Sequence, residues 1–429
     1  DAITVGTQNT ALGYGALSSG VASHYNTAVG HGALNADTTG RHSVAVGISA
    51  LLNQNNTGSA DMHNVAIGDD AGLAVTTGIQ NTLIGGLSGK ATEDADRNVA
   101  LGYATLYTNV LGSRSTALGY TALHTQNPAS AVDMHNTAVG YAAGYSIGVG
   151  THNTIVGSEA GDALTTGVSN TVVGVGALTS DDVGIGTIAL GYGAAYQQNI
   201  VSAGHTLNTV VGYNSSYYNV VGTGNTTLGY DAGKGVSGNS NSSNTFIGNA
   251  TGYGITTGTG NSFLGSSVGY AITTGAGNTC VGNAAGYALQ DGDNNLFLGK
   301  DAGRTGSPGG NFVAQDNRIV LGDESITNIY AAVTSIETSD ERDKTDFTAL
   351  DLGLDFVKAL SPVTYKWDKR AKYIDKTDIT TYDDDGNIDH EGWDITTDLN
   401  TITHDGTHKE DWLDVGFKAQ DVEALEKAA

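Results

Sequence analysis

Asn26-Thr27-Ala28-Val29-Gly30 is one copy of a five-residue phrase that recurs down most of the chain. Its general form is Asn-Thr-apolar-aliphatic-Gly. The closing glycines are Gly13, Gly30, Gly47, Gly68, Gly85, Gly102, Gly119, Gly140, Gly157, Gly174, Gly191, Gly212, Gly229, Gly248, Gly265, Gly282, Gly299 and Gly322. Twelve of the seventeen intervals are 17 residues long. Three are 21, at Gly47–Gly68, Gly119–Gly140 and Gly191–Gly212, so three steps of 17 and one of 21 make a super-repeat of 72. A period this regular defines a solenoid: each repeat is one coil, and neighbouring coils bury each other. The expected fold class is mainly β, a parallel β-roll or β-solenoid of about eighteen 17-residue coils.

With the motif glycine at position zero, position −1 is Val, Leu or Ile in all eighteen copies, and position −4 is Asn in fourteen. Position +3 is small in nearly every coil, as at Ala33, Ala50, Ala71, Ala122, Ala143, Ala160 and Ala177. Strand alternation puts −1 and −3 on one face and −2 and 0 on the other. The invariant aliphatic at −1 is therefore expected to form the core ladder, and Val139→Asp to be severely destabilising. The glycine at zero falls where the chain bends or another backbone approaches. Asn at −4 marks a corner, where identical side chains one coil apart can bond each other. A second turn signal, Thr38-Thr39-Gly40 in one coil and Thr256-Thr257-Gly258 in another, predicts two short strands and two turns per coil. At roughly 4.8 Å per coil the stack spans on the order of 85 Å.

Composition fits a thin core. Of 62 glycines, 57 lie in residues 1–339, and the chain has only three prolines. Charge divides the chain: residues 1–339 carry 21 acidic and 8 basic side chains, residues 340–429 carry 23 and 11. The expected organisation is a solenoid shaft over 1–325, a connecting strand or linker over 326–338, and a charge-rich domain over 339–429. A net charge of −25 with no basic stripe argues against a nucleic-acid partner. No transmembrane stretch or signal peptide is found, so membrane insertion is not expected. The chain begins at Asp1 without Met, so a preceding portion is expected. Cys280, the only cysteine, excludes an intrachain disulfide framework and reads as a small buried apolar residue.

Several residues tempt a site reading. Two of the 21-residue coils contain Asp61-Met62-His63-Asn64 and Asp133-Met134-His135-Asn136, and the third has His205. No His-x-His pair supports a metal, so these read as solvated loops echoing duplication of the 72-residue block. The tyrosines after the motif glycine (Tyr14, Tyr103, Tyr120, Tyr141, Tyr192, Tyr213, Tyr230) could stack on sugars, but read more simply as inter-chain or edge packing. Residues Tyr382-Asp383-Asp384-Asp385-Gly386-Asn387 do not have EF-hand spacing and read as an acidic turn between two strands. Glu159 and Asp162 read as solvated corners. Neither a cofactor nor a metal is expected.

The Asn-Thr-apolar-aliphatic-Gly coils resemble the head of trimeric bacterial adhesins of the YadA type. That resemblance, over about residues 5–325, implies a left-handed parallel β-roll assembled as a homotrimer, although the adhesin coil is shorter. After Gly322 the repeat stops. Residues 326–333 read as a last strand, and Leu350 to Leu360 have helical spacing. Three ordered motifs follow: Ser-Asp-x-Arg-x-Lys at 339–344, Leu-Ser-Pro-Val-Thr-Tyr-Lys-Trp at 360–367, and Gly-Phe-x-Ala-Gln-Asp-Val-Glu at 416–423. Together they resemble the endosialidase-type intramolecular chaperone of phage tail spikes and tail fibres. The resemblance implies a small α+β domain that trimerises, nucleates the shaft and is released by self-cleavage. It makes Ser339 the nucleophile and Lys344 its general base, a pairing that works if desolvation lowers the lysine pKa. Members continue through further helices, so the domain is expected to be truncated at Ala429. The implied function is a structural, host-receptor-binding tail fibre of the virion. Its partners would be itself, other virion tail proteins and a host-surface glycan or protein receptor. The alternatives are a bacterial trimeric surface adhesin and a glycan-degrading tailspike.

Overall fold

The structure, a computed structural model, describes residues 5–328 except 57, 59, 202 and 203. Beyond them it describes residues 359, 363–366, 377–378, 381–382, 388–390, 393–394 and 414–416. The chain divides into two compact units, Asp1–Tyr330 and Ala331–Ala429.

In the first unit each motif copy forms one three-residue strand, from Thr10–Leu12 to Ile319–Leu321. All eighteen stack in parallel in a single sheet. Equivalent motif positions pair directly, as in Thr137↔Thr154, Ala138↔Ile155 and Val139↔Val156. The 21-residue coils hold the same register, with Val44 opposite Val65. Their extra residues make a second, shorter ladder, in which Gly112–Ser113 pairs with Val132–Asp133 and Gly184–Ile185 with Gly204–His205. The parallel β-solenoid expected from the period is therefore present.

The strand faces are the reverse of the expectation. The centre of each strand, position −2, is the residue turned inward. Ala28, Ala45, Leu83, Ala138, Ile155, Phe246 and Phe297 are all fully buried there. The aliphatic at −1 points outward: Val139 is half-buried, and Leu101 and Leu264 are 48% and 50% exposed. A three-residue strand has only one inward position, and its neighbours on both sides must face away. Invariance at −1 thus belongs to an outer ladder.

Core volume is shared between position −2 and position +4. Where −2 is Ala, +4 is often Leu, and Leu34, Leu51, Leu106 and Leu123 are fully buried. Where −2 is large, +4 is Gly. A Cβ on Gly89 would lie 2.7 Å from Leu83, and one on Gly252 2.8 Å from the Phe246 ring. The +3 alanines from Ala33 onward are buried, so the interior packs densely with few large side chains.

The other side of the coil also departs from the expectation. It is a stack of turns rather than a second main strand. The leucine at +4 adopts a left-handed backbone, φ 51° at Leu17 and Leu34 and 49° at Leu51. Backbone hydrogen bonds still link coil to coil, from Leu34 N to Ala50 O at 3.0 Å and from Leu51 N to Ala71 O at 3.0 Å. Left-handed residues cannot continue a strand, but identical turns stacked in register satisfy the same groups. Ile326, Thr327 and Asn328, expected to open a last strand, are not in a strand. The remainder of that segment, and the helix expected over Leu350 to Leu360 apart from Ala359, lie outside the described residues.

Asn at −4 forms a buried ladder. Asn153 Nδ2 donates to Gly167 O at 2.8 Å, while its Oδ1 accepts from Asn170 N at 3.0 Å and Asn170 Nδ2 at 3.1 Å. Each amide closes its own coil and bonds the next, so no buried polar atom of the ladder lacks a partner. The ladder is interrupted at Ser43, Ser115 and Thr187, where a glutamine eleven residues later fills the gap. Gln54 Oε1 accepts from Asn64 Nδ2 at 2.9 Å, Gln126 Oε1 from Asn136 Nδ2 at 3.0 Å, and Gln198 Oε1 from Asn208 Nδ2 at 2.9 Å.

Beside these glutamines lie Asp37, Asn109 and Asp181, one per super-repeat and all buried. Asp37 accepts from Gly40 N at 3.0 Å, yet burial pushes its carboxyl up to about 6 from 3.8. A raised carboxyl pKa means the folded chain holds a proton that the unfolded chain has released. This contribution is fully present below 3.8 and is lost as pH rises through about 6. Asn109 offers the uncharged solution: its Nδ2 donates to Gly112 O at 2.7 Å and its Oδ1 accepts from Gly112 N at 3.1 Å. Asp37→Asn is therefore expected to stabilise the shaft at neutral pH by about 1–3 kcal/mol and to leave it almost unchanged near pH 4. Thermal melts of both proteins at the two pH values measure this.

Candidate functional site

In the second unit, Val363–Tyr365 runs antiparallel to Asp414–Gly416, with Val363 opposite Gly416 and Tyr365 opposite Asp414. Val363, Thr364 and Tyr365 of the second motif are thereby brought beside a strand that ends on Gly416, the first residue of the third. Thr381–Tyr382 pairs with Ile388–His390, and Thr377–Asp378 with Trp393–Asp394. Residues 383–387, read as an acidic turn, lie outside the described residues. Ser339 and Lys344 lie outside the described residues.

Within the shaft the tempting residues sort themselves by packing. Cys280 is fully buried at position −2, and burial pushes its thiol up to about 12. It stays protonated at neutral pH and is a core residue, not a nucleophile. The tyrosines after the motif glycine stack on one another across coils: Tyr103 on Tyr120 at 5.5 Å, Tyr120 on Tyr141 at 5.5 Å, and Tyr192 on Tyr213 at 5.0 Å. A second column runs through Tyr253, Tyr270 and Tyr287 and is capped by Lys234 over Tyr253 and Arg304 over Tyr287. Ring faces inside the columns are thus occupied, and a sugar would meet ring edges only. Glu159 is exposed, as expected of a corner. Asp162 is not fully solvated: burial is the first cause raising its carboxyl pKa, and its Oδ1 has no hydrogen-bond partner.

The histidine loops hold an arrangement that sequence spacing concealed. His42, Asp61 and His63 each bring one ligating atom within 4.8 Å of the others. His42 precedes His63 by 21 residues, one long coil, so the pair is invisible as a local motif. The repeat period itself is the signal that could have found it. In the next super-repeat Arg114 replaces His42, and its guanidinium lies 2.8 Å from Asp133. No helix among the described residues is long and apolar enough to cross a membrane.

Residues 339–429 match the family model described as the chaperone of endosialidase. No curated protein and no solved structure gives a significant match to the chain. The protein is thus a parallel β-solenoid followed by a chaperone-of-endosialidase segment. The match covers residues 339–429 alone and begins at Ser339.

Proposed function

We propose that this chain forms a homotrimeric tail fibre of a tailed bacteriophage, whose C-terminal segment templates trimer assembly. The observation that carries the reading is the outer face of the shaft. The aliphatics at −1 form a partly exposed ladder along the whole stack, next to half-exposed tyrosines at +1, such as Tyr120 and Tyr230 at 50% and 54%. A thin coil that leaves so long an apolar stripe in water gains burial by packing against copies of itself. The chaperone-of-endosialidase match supplies the segment that would align three chains. A β-solenoid with such a segment fits a tail-fibre or tailspike type of protein. The fibre would join other tail proteins at one end and engage a host-surface glycan or protein receptor.

Ser339 and Lys344 are the residues proposed for release of that segment. The Ser339 hydroxyl would attack the peptide carbonyl at or beside the Ser339–Asp340 bond, passing its proton to Lys344; the C–N bond would break, the amine leave with that proton, and water hydrolyse the resulting ester. The chain, expressed whole, is expected to be trimeric by light scattering and to yield a shaft fragment ending near residue 339 by mass spectrometry. Ser339→Ala and Lys344→Ala should each leave the chain intact while the trimer still forms. An intact parental chain in a folded trimer would make the segment a retained cap. A monomer at micromolar concentration would overturn the fibre reading.

A further inference from the structure

We propose that His42, Asp61 and His63 form a binding site for a divalent d-block cation, of which Zn²⁺ is the representative, bridging two coils of the shaft. The ligand atoms of the three side chains lie within 4.8 Å of one another, and His42 Nδ1 is 3.2 Å from Asp61 Oδ1. Two imidazoles and one carboxylate are a donor set that suits zinc, nickel and copper, with the remaining positions filled by water.

The loop is built to hold these side chains. Met62 is fully buried, so the residues on either side of it, Asp61 and His63, are both turned outward. The backbone around it is tied to both neighbouring coils: Met62 N donates to Arg41 O at 2.9 Å, and Gln80 N donates to Met62 O at 2.7 Å. His42 is sandwiched between Tyr25, at 4.8 Å and parallel within 1°, and His63, at 5.0 Å and 12°. Parallel rings direct their lone pairs side by side, so ligation turns each ring about χ2 and opens the His42–His63 stack. Both rings reach solvent. The scaffold fixes the Cα positions, which removes most of the ordering cost of assembling a site.

The sister loop indicates that this carboxylate position takes a cation. At the equivalent place in the second super-repeat, Asp133 is paired with the Arg114 guanidinium at 2.8 Å. Asp61 has no such partner; its one ion-pair contact among the described residues is to His42. Arg41 bridges Asp61 through the backbone only. The first loop thus has the His42 imidazole where the sister loop has a guanidinium, while His63 has its counterpart in His135.

Calorimetric titration of the full chain with Zn²⁺ tests the site. The decisive variant is His42→Arg, which installs the residue the sister loop already carries with φ 61° against 59° at His42, so the fold accommodates it. His63→Asn is the second, since Asn tolerates the left-handed backbone at that position. Each is expected to remove one binding event or weaken it by roughly tenfold or more. His135→Asn, in the sister loop, should leave that event unchanged. A parent that binds no Zn²⁺, or variants that bind it with unaltered stoichiometry and affinity, would overturn the assignment.

Discussion

Gly157→Ala is expected to prevent the shaft from folding. The motif glycines stack directly above one another, and each has a backbone that L side chains rarely adopt, φ 140° at Gly157. A Cβ there would sit 2.5 Å from the Gly174 carbonyl oxygen, a backbone atom of the next coil. Neither partner can retreat. Gly174 N donates to Val156 O at 2.8 Å, and the flanking strands are locked in register on both sides. Strain and overlap add, and the expected cost exceeds about 4–5 kcal/mol, in the range reserved for gross disruption. Gly277 provides the comparison. Its φ is 66°, but a Cβ there meets nothing within 4 Å. Gly277→Ala should cost only about 1 kcal/mol, the conformational penalty alone. Soluble yield and circular dichroism of the two variants measure the difference. Equal losses would mean that backbone strain, not the close approach of coils, explains the motif glycine.

The period of the motif was enough to read the solenoid, its register and the role of this glycine, because all three follow from identical residues stacking on themselves. Which face of the strand is inward was not legible, for a physical reason. The core shifts its bulk from position to position, with Leu83 set against Gly72 and Gly89 and Ala45 accompanied by Leu51. Bulk spread over two variable columns hides the inner face, whereas the outer ladder at −1 is constant in itself. The exchange of Asn for Ser43 with Gln54 is hidden in the same way, since one amide replaces another from a different place in the coil. The second strand was overpredicted because stacked left-handed turns make the same inter-coil hydrogen bonds without β alternation. At the candidate sites, Cys280 was legible from its motif position. The His42–His63 pair was not, because local motif spacing does not cross coils. Ser339 and Lys344 were legible only through the resemblance of their surroundings.

Neighbouring residues on one strand should separate the inner face from the outer one. Ala138 is fully buried, and Val139 beside it is half-buried and turned outward. Ala138→Asp would place a carboxylate in the core with no partner, and the coil should unfold whatever its oligomeric state. Val139→Asp has a different expected outcome. In a lone chain the carboxylate can reach water, so the secondary structure should survive with a loss of at most about 1 kcal/mol. In a trimer packed through the −1 ladder, three such carboxylates would be drawn together in a desolvated seam. Like charges at close range in that setting repel by several kcal/mol, on the order of what a modest interface supplies. The variant is therefore expected to be folded by circular dichroism and monomeric by light scattering at concentrations where the parent is trimeric. Leu264, half-exposed on the same column seven coils further on, should behave alike when changed to Asp. A Val139→Asp protein that stays trimeric with an unchanged melting temperature would remove the aliphatic ladder from the interface. Its invariance would then need another cause, such as packing against the neighbouring coils of its own chain, where Leu118 and Val156 are its direct partners.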